Sequence, residues 1–243
     1  MQKHILADPA AAAEACAQQL LRKLETARAA RGQATLAVSG GSTPKLMFGK
    51  MAESNFNWGG IHIFWVDERP VPPDDKQSNY RLAAESLLKP AGIPEKQAHR
   101  VHAELDPQKA VEKYVEEIRG FFGLKGEELP RFDVIHRGMG DEGHTASLFP
   151  GEPLIGDRKR IAGTVYVGKL STWRITLLPG ALLAAHYTAM LVAGSDKAPA
   201  VRAVFSDPYD PIKLPAQLGL RDAEEVEWFL DEPAAAALEP NQR

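Results

Sequence analysis

The chain has 243 residues, enough to bury one large core or two modest ones, and this length favours a single domain over residues 1–243. Hydrophobic residues at 44% and charged residues at 25% exclude wholesale disorder, and a formal net charge of −3 gives no reason to expect a nucleic-acid partner. The single cysteine, Cys16, cannot form an internal disulfide, no apolar run reaches membrane-spanning length, and the N-terminus lacks the basic-then-apolar order of a secretory signal, so a cytoplasmic protein without a membrane partner is expected.

The elements alternate along the chain. The Ala-rich segment from Asp8 to Ala30 reads as an amphipathic helix. The apolar run Ala34–Val38 reads as a strand, followed by a Gly/Ser turn and a helix opening at Thr43-Pro44. Ile61–Val66 is the next strand, followed by a Pro- and Asp-rich loop and a helix from about Asn79 to Leu88. Residues 107–122 carry apolar side chains at helical spacing, and Phe132–Ile135 reads as a buried strand. Ile161–Val167 and Arg174–Leu178 read as strands, then Tyr187–Ala193 as a buried strand and Asp196–Phe205 as a helix. A last strand around Val226–Leu230 leads into an Ala-rich tail. Strands separated by helices predict an α/β fold with a mainly parallel sheet covered by helices on both faces.

The unusual residues fall at strand ends. Val38 is followed by Ser39-Gly-Gly-Ser-Thr-Pro44, Val66 by Asp67-Glu-Arg69, Ile135 by a glycine-histidine segment, and Ala193 by Gly194-Ser-Asp-Lys197. Open α/β sheets bind ligands at the carboxyl edge of their strands, so these four loops are expected to form one site. In the first loop, Gly40, Gly41, Ser42 and Thr43 suit an anion cradle, with Thr43 as N-cap and Pro44 as first helical residue. The spacing is not that of a nucleotide P-loop. Arg69 and Lys197 are the cations expected to hold a phosphate, in preference to surface ion pairing of Arg69 with Asp67 or Glu68.

Gly138-Met-Gly-Asp-Glu-Gly-His-Thr-Ala-Ser-Leu-Phe-Pro-Gly151 packs four glycines, two carboxylates and one histidine into fourteen residues. His144 is the candidate general base, held on a turn that a substrate can approach. The turn also fits the dinucleotide pattern G-x-G-x-x-G. Two internal carboxylates would repel a pyrophosphate, Pro150-Gly151 cuts off the required helix, and no acidic residue follows at the ribose position. His99 and His102 have no third ligand nearby, and no metal site is expected. His136 and Arg137 are costly if buried unpaired, and so are expected to face the cleft or solvent.

Together, the histidine motif, Ser39-Gly-Gly-Ser-Thr-Pro44, Val66-Asp-Glu-Arg-Pro-Val-Pro72 with Ser78-Asn-Tyr80, and Gly194-x-Asp-Lys197 closely resemble the 6-phosphogluconolactonase family, from about residue 10 to Asp231-Glu232. The resemblance implies hydrolysis of 6-phospho-D-glucono-1,5-lactone, the second step of the oxidative pentose phosphate pathway. It also implies a fold shared with glucosamine-6-phosphate deaminase and ribose-5-phosphate isomerase, and no cofactor. The partner implied is a small phosphorylated sugar lactone, and a monomer is favoured.

A lactone is an activated ester, so water deprotonated by His144 can attack directly, with N–H groups of the glycine turn facing the oxyanion. The family usually has Asp two residues before the histidine. Here Glu142 stands there and is expected to orient the imidazole. The run Trp173-Arg-Ile-Thr-Leu-Leu-Pro179 is also one residue shorter than the family's. Amino-sugar phosphate deaminases and isomerases follow the histidine with Ile-Ala-Phe-Asn-Glu-Pro, which Thr145–Pro150 lacks. A non-catalytic sugar-phosphate sensor is the third reading, and the intact His144 weighs against it.

Overall fold

The structure, a computed structural model, describes residues 1–221 and 224–242. In chain order these form β1 (Gln2–Leu6), α1 (Pro9–Arg31), β2 (Ala34–Val38), α2 (Ser42–Glu53), β3 (Ile61–Trp65), β4 (Asp67–Glu68) and α3 (Asn79–Ala83). Then follow β5 (Ala98–His99), α4 (Pro107–Phe122), β6 (Val134–Arg137), β7 (Ala162–Val167), β8 (Thr172–Leu177) and α5 (Pro179–Leu183). The chain closes with β9 (Tyr187–Val192), α6 (Ala198–Ser206), α7 (Leu218–Arg221), β10 (Val226–Asp231) and α8 (Glu232–Ala235). Local chemistry explains the long helices. Asp8 caps α1 by accepting from the Ala11 N–H at 2.8 Å, Pro9 is its first residue, and Gly32 ends it at φ +79°. Asp106 and Pro107 open α4 in the same way, and Gly123 closes it.

Seven strands form a parallel sheet in the order β1-β10-β9-β6-β2-β3-β5. Alternation along each strand separates two faces. Tyr187, level with Val134 and through it with Leu36, meets the Lys23 ammonium of α1 at 4.8 Å. Phe64, level with Ala37, points the other way and packs on Phe121 and Phe122 of α4. Both faces of the sheet are covered, as expected for parallel strands read as continuous apolar runs.

Three features differ from the reading of the sequence. First, the strands predicted at 161–167 and 174–178 lie outside the parallel sheet. As β7 and β8 they pair antiparallel with each other, and β8 pairs with β4 (Asp67 opposite Thr176, Glu68 opposite Ile175). The chain turns directly from β3 into β4, which brings the β7–β8 hairpin beside the carboxyl edge of the main sheet.

Second, β6 begins and ends two residues later than Phe132–Ile135 and includes His136 and Arg137. Neither faces the cleft or solvent. Both are fully buried on opposite faces of the strand, and neither side chain has a hydrogen-bond partner among the described residues. Desolvation pushes the His136 imidazole down to about 3 and the Arg137 guanidinium down to about 10. Third, edge strands β1 and β5 add pairing that the sequence did not announce. β1 is half-exposed and β5 has only two residues, so neither offers a buried apolar run.

The four strands whose ends carry the unusual residues, β2, β3, β6 and β9, are contiguous in the sheet (β9-β6-β2-β3). Their loops therefore converge.

Candidate active site

A cavity of about 360 Å³ lies at this convergence, with walls from all four loops. Such a volume suits a small ligand. On one side is the start of α2. The helix opens two residues earlier than expected. Gly41, at φ +128°, is the N-cap, while Thr43 and Pro44 are already helical, so Thr43 is not the cap. No side chain caps this end, and Gly40 to Pro44 all line the cavity. A helix start without a side-chain cap presents free N–H groups and the positive end of the dipole to an anion.

Gly40 cannot be replaced by a larger residue, because a Cβ there would overlap the Asn79 side chain. Asn79 is itself fixed, donating from Nδ2 to the Asp67 carbonyl at 2.8 Å. Behind it, buried Glu68 accepts from the N–H groups of Asn79, Tyr80 and Arg69, each at 2.8 Å, and from the Ser78 hydroxyl at 3.1 Å. Burial pushes its carboxyl above the usual range, as does neighbouring Asp67, while the three N–H donors pull it back. Glu68 thus closes the loop from Arg69 to Ser78 into a clamp and is not an ion-pair partner of Arg69. The Arg69 guanidinium donates to the Gln77 carbonyl at the loop's end and lines the cavity. Asp67 also lines the cavity and accepts from the buried Ser147 hydroxyl at 2.8 Å.

The glycine turn, which follows the neighbouring strand β6, also lines the cavity. Its N–H groups are less available than expected. Gly140 donates to the His144 carbonyl at 2.9 Å and Gly143 donates to the Gly140 carbonyl at 3.1 Å, so these two are committed within the turn. The turn instead positions the imidazole. The His144 ring lies directly over Gly140, where any Cβ would collide with it, and packs against Phe149 with ring centroids 4.3 Å apart. Ala146, which lines the cavity, holds a left-handed backbone at φ +53°, a conformation that costs an alanine about 1–2 kcal/mol.

His144 lines the cavity. Its Nδ1 is 3.2 Å from Glu142 Oε1, a charge contact without the alignment of a full hydrogen bond. Desolvation lowers the imidazole below its ordinary value. The Glu142 and Asp67 charges act against this, and the Lys169 ammonium adds to it. A neutral imidazole with Glu142 on its Nδ1 side presents Nε2 as the acceptor for a proton. Glu142 itself does not line the cavity; it stands behind His144. Lys197 completes the rim from the short turn before α6, with its ammonium 2.9 Å from Asp196.

All the residues expected at the site are therefore gathered there, with Glu142 one step removed from the cleft. The structure adds Ser39, Asp67, Asn79 and Ala146. Among the described residues, Ser39 Oγ and Asn79 Oδ1 are buried without a hydrogen-bond partner. Ser39 and Asp67 each stand just past a strand end, the signal that singled out their neighbours. Asn79 gave no such signal, because it reaches the site only through the Glu68 clamp. His99 does not pair with His102. It bonds His62 at 2.9 Å and Glu117 at 2.6 Å, and among the described residues no three His, Cys, Asp or Glu are arranged to hold a metal.

Residues 7–228 match the family of glucosamine-6-phosphate isomerases and 6-phosphogluconolactonases. The chain belongs to this family. Within the family it is 37% identical over 221 residues to the 6-phosphogluconolactonase of Synechocystis, a match that covers 90% of each chain. It also superposes on the solved 6-phosphogluconolactonase from Thermotoga maritima with a TM-score of 0.81 at 31% identity, covering 95% of this chain and 99% of that one. A monomeric glucosamine-6-phosphate deaminase, 16% identical, aligns with a TM-score of 0.83 over 98% of this chain and 100% of its own, and so shares the fold.

Proposed function

We propose that this protein hydrolyses 6-phospho-D-glucono-1,5-lactone to 6-phosphogluconate in the pentose phosphate pathway, acting as a single-domain monomer in the cytoplasm. The observation that carries the mechanism is the meeting of two unlike sets of groups in one cleft. The open start of α2, Arg69 and Lys197 line it together with a desolvated imidazole that is backed by a carboxylate. The first set binds the 6-phosphate and the imidazole acts on the ester.

Nε2 of His144 takes a proton from water as that water bonds to C1 of the lactone. The tetrahedral intermediate then collapses by breaking the bond from C1 to the ring oxygen. The imidazolium returns the proton to that oxygen, which leaves as the 5-hydroxyl of the open-chain acid. Glu142 supports the imidazolium while it exists. The phosphate contacts hold C1 where the water can reach it, an orientation effect distinct from the proton transfer.

The test is a pH-stat assay of acid release from the phosphorylated lactone, corrected for spontaneous hydrolysis, with a parallel assay of ammonia release from glucosamine-6-phosphate. Enzyme-dependent acid release with no ammonia supports the proposal. Lactone decay at the uncatalysed rate rejects it.

A further inference from the structure

Oε1 of Glu142 has two partners. One is His144 Nδ1 at 3.2 Å; the other is the ammonium of Lys169, which forms a direct ion pair with it. Lys169 lies 27 residues away in sequence, in the turn from Gly168 to Leu170 that joins β7 to β8. The same ammonium sits 4.9 Å from the centroid of the Phe149 ring, against which the imidazole packs. Lys169 thus touches both supports of His144 and does not line the cleft. The longer side chain of Glu142 suits this arrangement, because its carboxylate must reach the imidazole and the hairpin at once.

We propose that Lys169 is a positioning residue for the hydrolysis, fixing Glu142 and Phe149 against His144 and so setting the orientation of the imidazole that takes the proton. The proposal rests on the reading of His144 as the base. The charged groups acting on His144 are Glu142 from its own turn, Asp67 from β4 and Lys169 from the hairpin. Asp141, Arg69 and Lys197 line the same cleft. Of the first three, Lys169 alone opposes protonation of the imidazole, and without it Glu142 acts on the ring uncompensated.

The experiment measures kcat and KM against pH for wild type, Lys169→Met and Lys169→Arg, and follows the His144 ring by NMR titration, with His144→Ala assigning its resonance. Lys169→Met should lower kcat at neutral pH about two- to fivefold, the scale of a half-exposed ion pair. KM should stay unchanged, and the acid limb of kcat and the His144 titration should both move to higher pH. Lys169→Arg should restore both. Wild-type kcat and titration in Lys169→Met, a loss confined to KM, or failure of arginine to restore the limb would each overturn the proposal. Should His144→Ala retain turnover, the base assignment fails instead, and the NMR titration still reports whether Lys169 is coupled to the ring.

Discussion

His144 is held by three contacts: Gly140 beneath the ring, Phe149 against it and Glu142 beside Nδ1. Replacing it with alanine should leave the fold intact and lower kcat about a hundred- to ten-thousandfold, the usual worth of a general base. Near-native turnover in that variant would remove His144 from the mechanism. Because burial lowers its pKa, the neutral base persists at lower pH than for a free imidazole. The acid limb of kcat/KM should therefore fall below the ordinary histidine value of about 6.5, and a limb above that value would contradict the desolvated site. Among the cations of the cleft, Arg69→Ala and Lys197→Ala should each weaken binding of the phosphorylated lactone about ten- to a hundredfold, from roughly 1.5–3 kcal/mol per charge-assisted contact. The unphosphorylated lactone should be turned over as before. Equal losses on both substrates would place these cations in the chemistry or the fold.

At the scale of elements, the loop between β4 and α3 shows how a buried carboxylate shapes a site without entering it. Glu68 accepts from four donors that together set the start of α3, the position of Asn79 over Gly40 and the exit of Arg69. Glu68→Gln keeps the shape but replaces one acceptor oxygen with a donor facing N–H or hydroxyl groups. It should cost about 1–3 kcal/mol of stability for the donors left unmet. KM should rise as Arg69 loses its place, with a smaller change in kcat. Urea unfolding and steady-state kinetics on the same preparation check both. Unaltered KM would mean that Arg69 is held by its bond to Gln77 alone.

At the scale of the whole molecule, the central strand carries an ionisable group that the fold must keep neutral. His136 has a folded-state value of about 3, against about 6.5 when exposed in the unfolded chain. Between these values the unfolded chain binds a proton that the folded one does not. Stability is then fully present above about pH 6.5 and is lost as pH falls towards 3, at up to about 1.4 kcal/mol per pH unit. His136→Leu removes this linkage. Between pH 6.5 and 5, wild type should lose about 1.6 kcal/mol more than the variant, measured by urea unfolding at both pH values. Parallel losses would show that His136 finds a partner or water in the folded state.

Much of this was legible in the residues. Continuous apolar runs marked β2, β3, β6, β9 and β10, and helical periods marked the long helices, because those patterns reflect burial of both faces of a strand or one stripe of a helix and need no knowledge of distant partners. The site was legible for a related reason. In a parallel sheet every strand ends at the same edge, so Gly40, Arg69, His144 and Lys197 could be placed together from their positions after strands.

What the sequence did not decide depended on pairing between distant segments. Whether 161–167 and 174–178 joined the parallel sheet was settled by the turn from β3 into β4, which supplies β8 with an antiparallel partner. The burial of His136 and Arg137 was settled by continuation of β6 beside Ala189 and Met190 of β9. The contact between Glu142 and Lys169 exists only because the hairpin folds back over the glycine turn. Local period and turn chemistry act over a few residues and are written in the chain. Strand order, burial of a strand's last residues and a shared carboxylate arise when segments far apart in sequence compete for the same neighbour, and only the packed molecule resolves that competition.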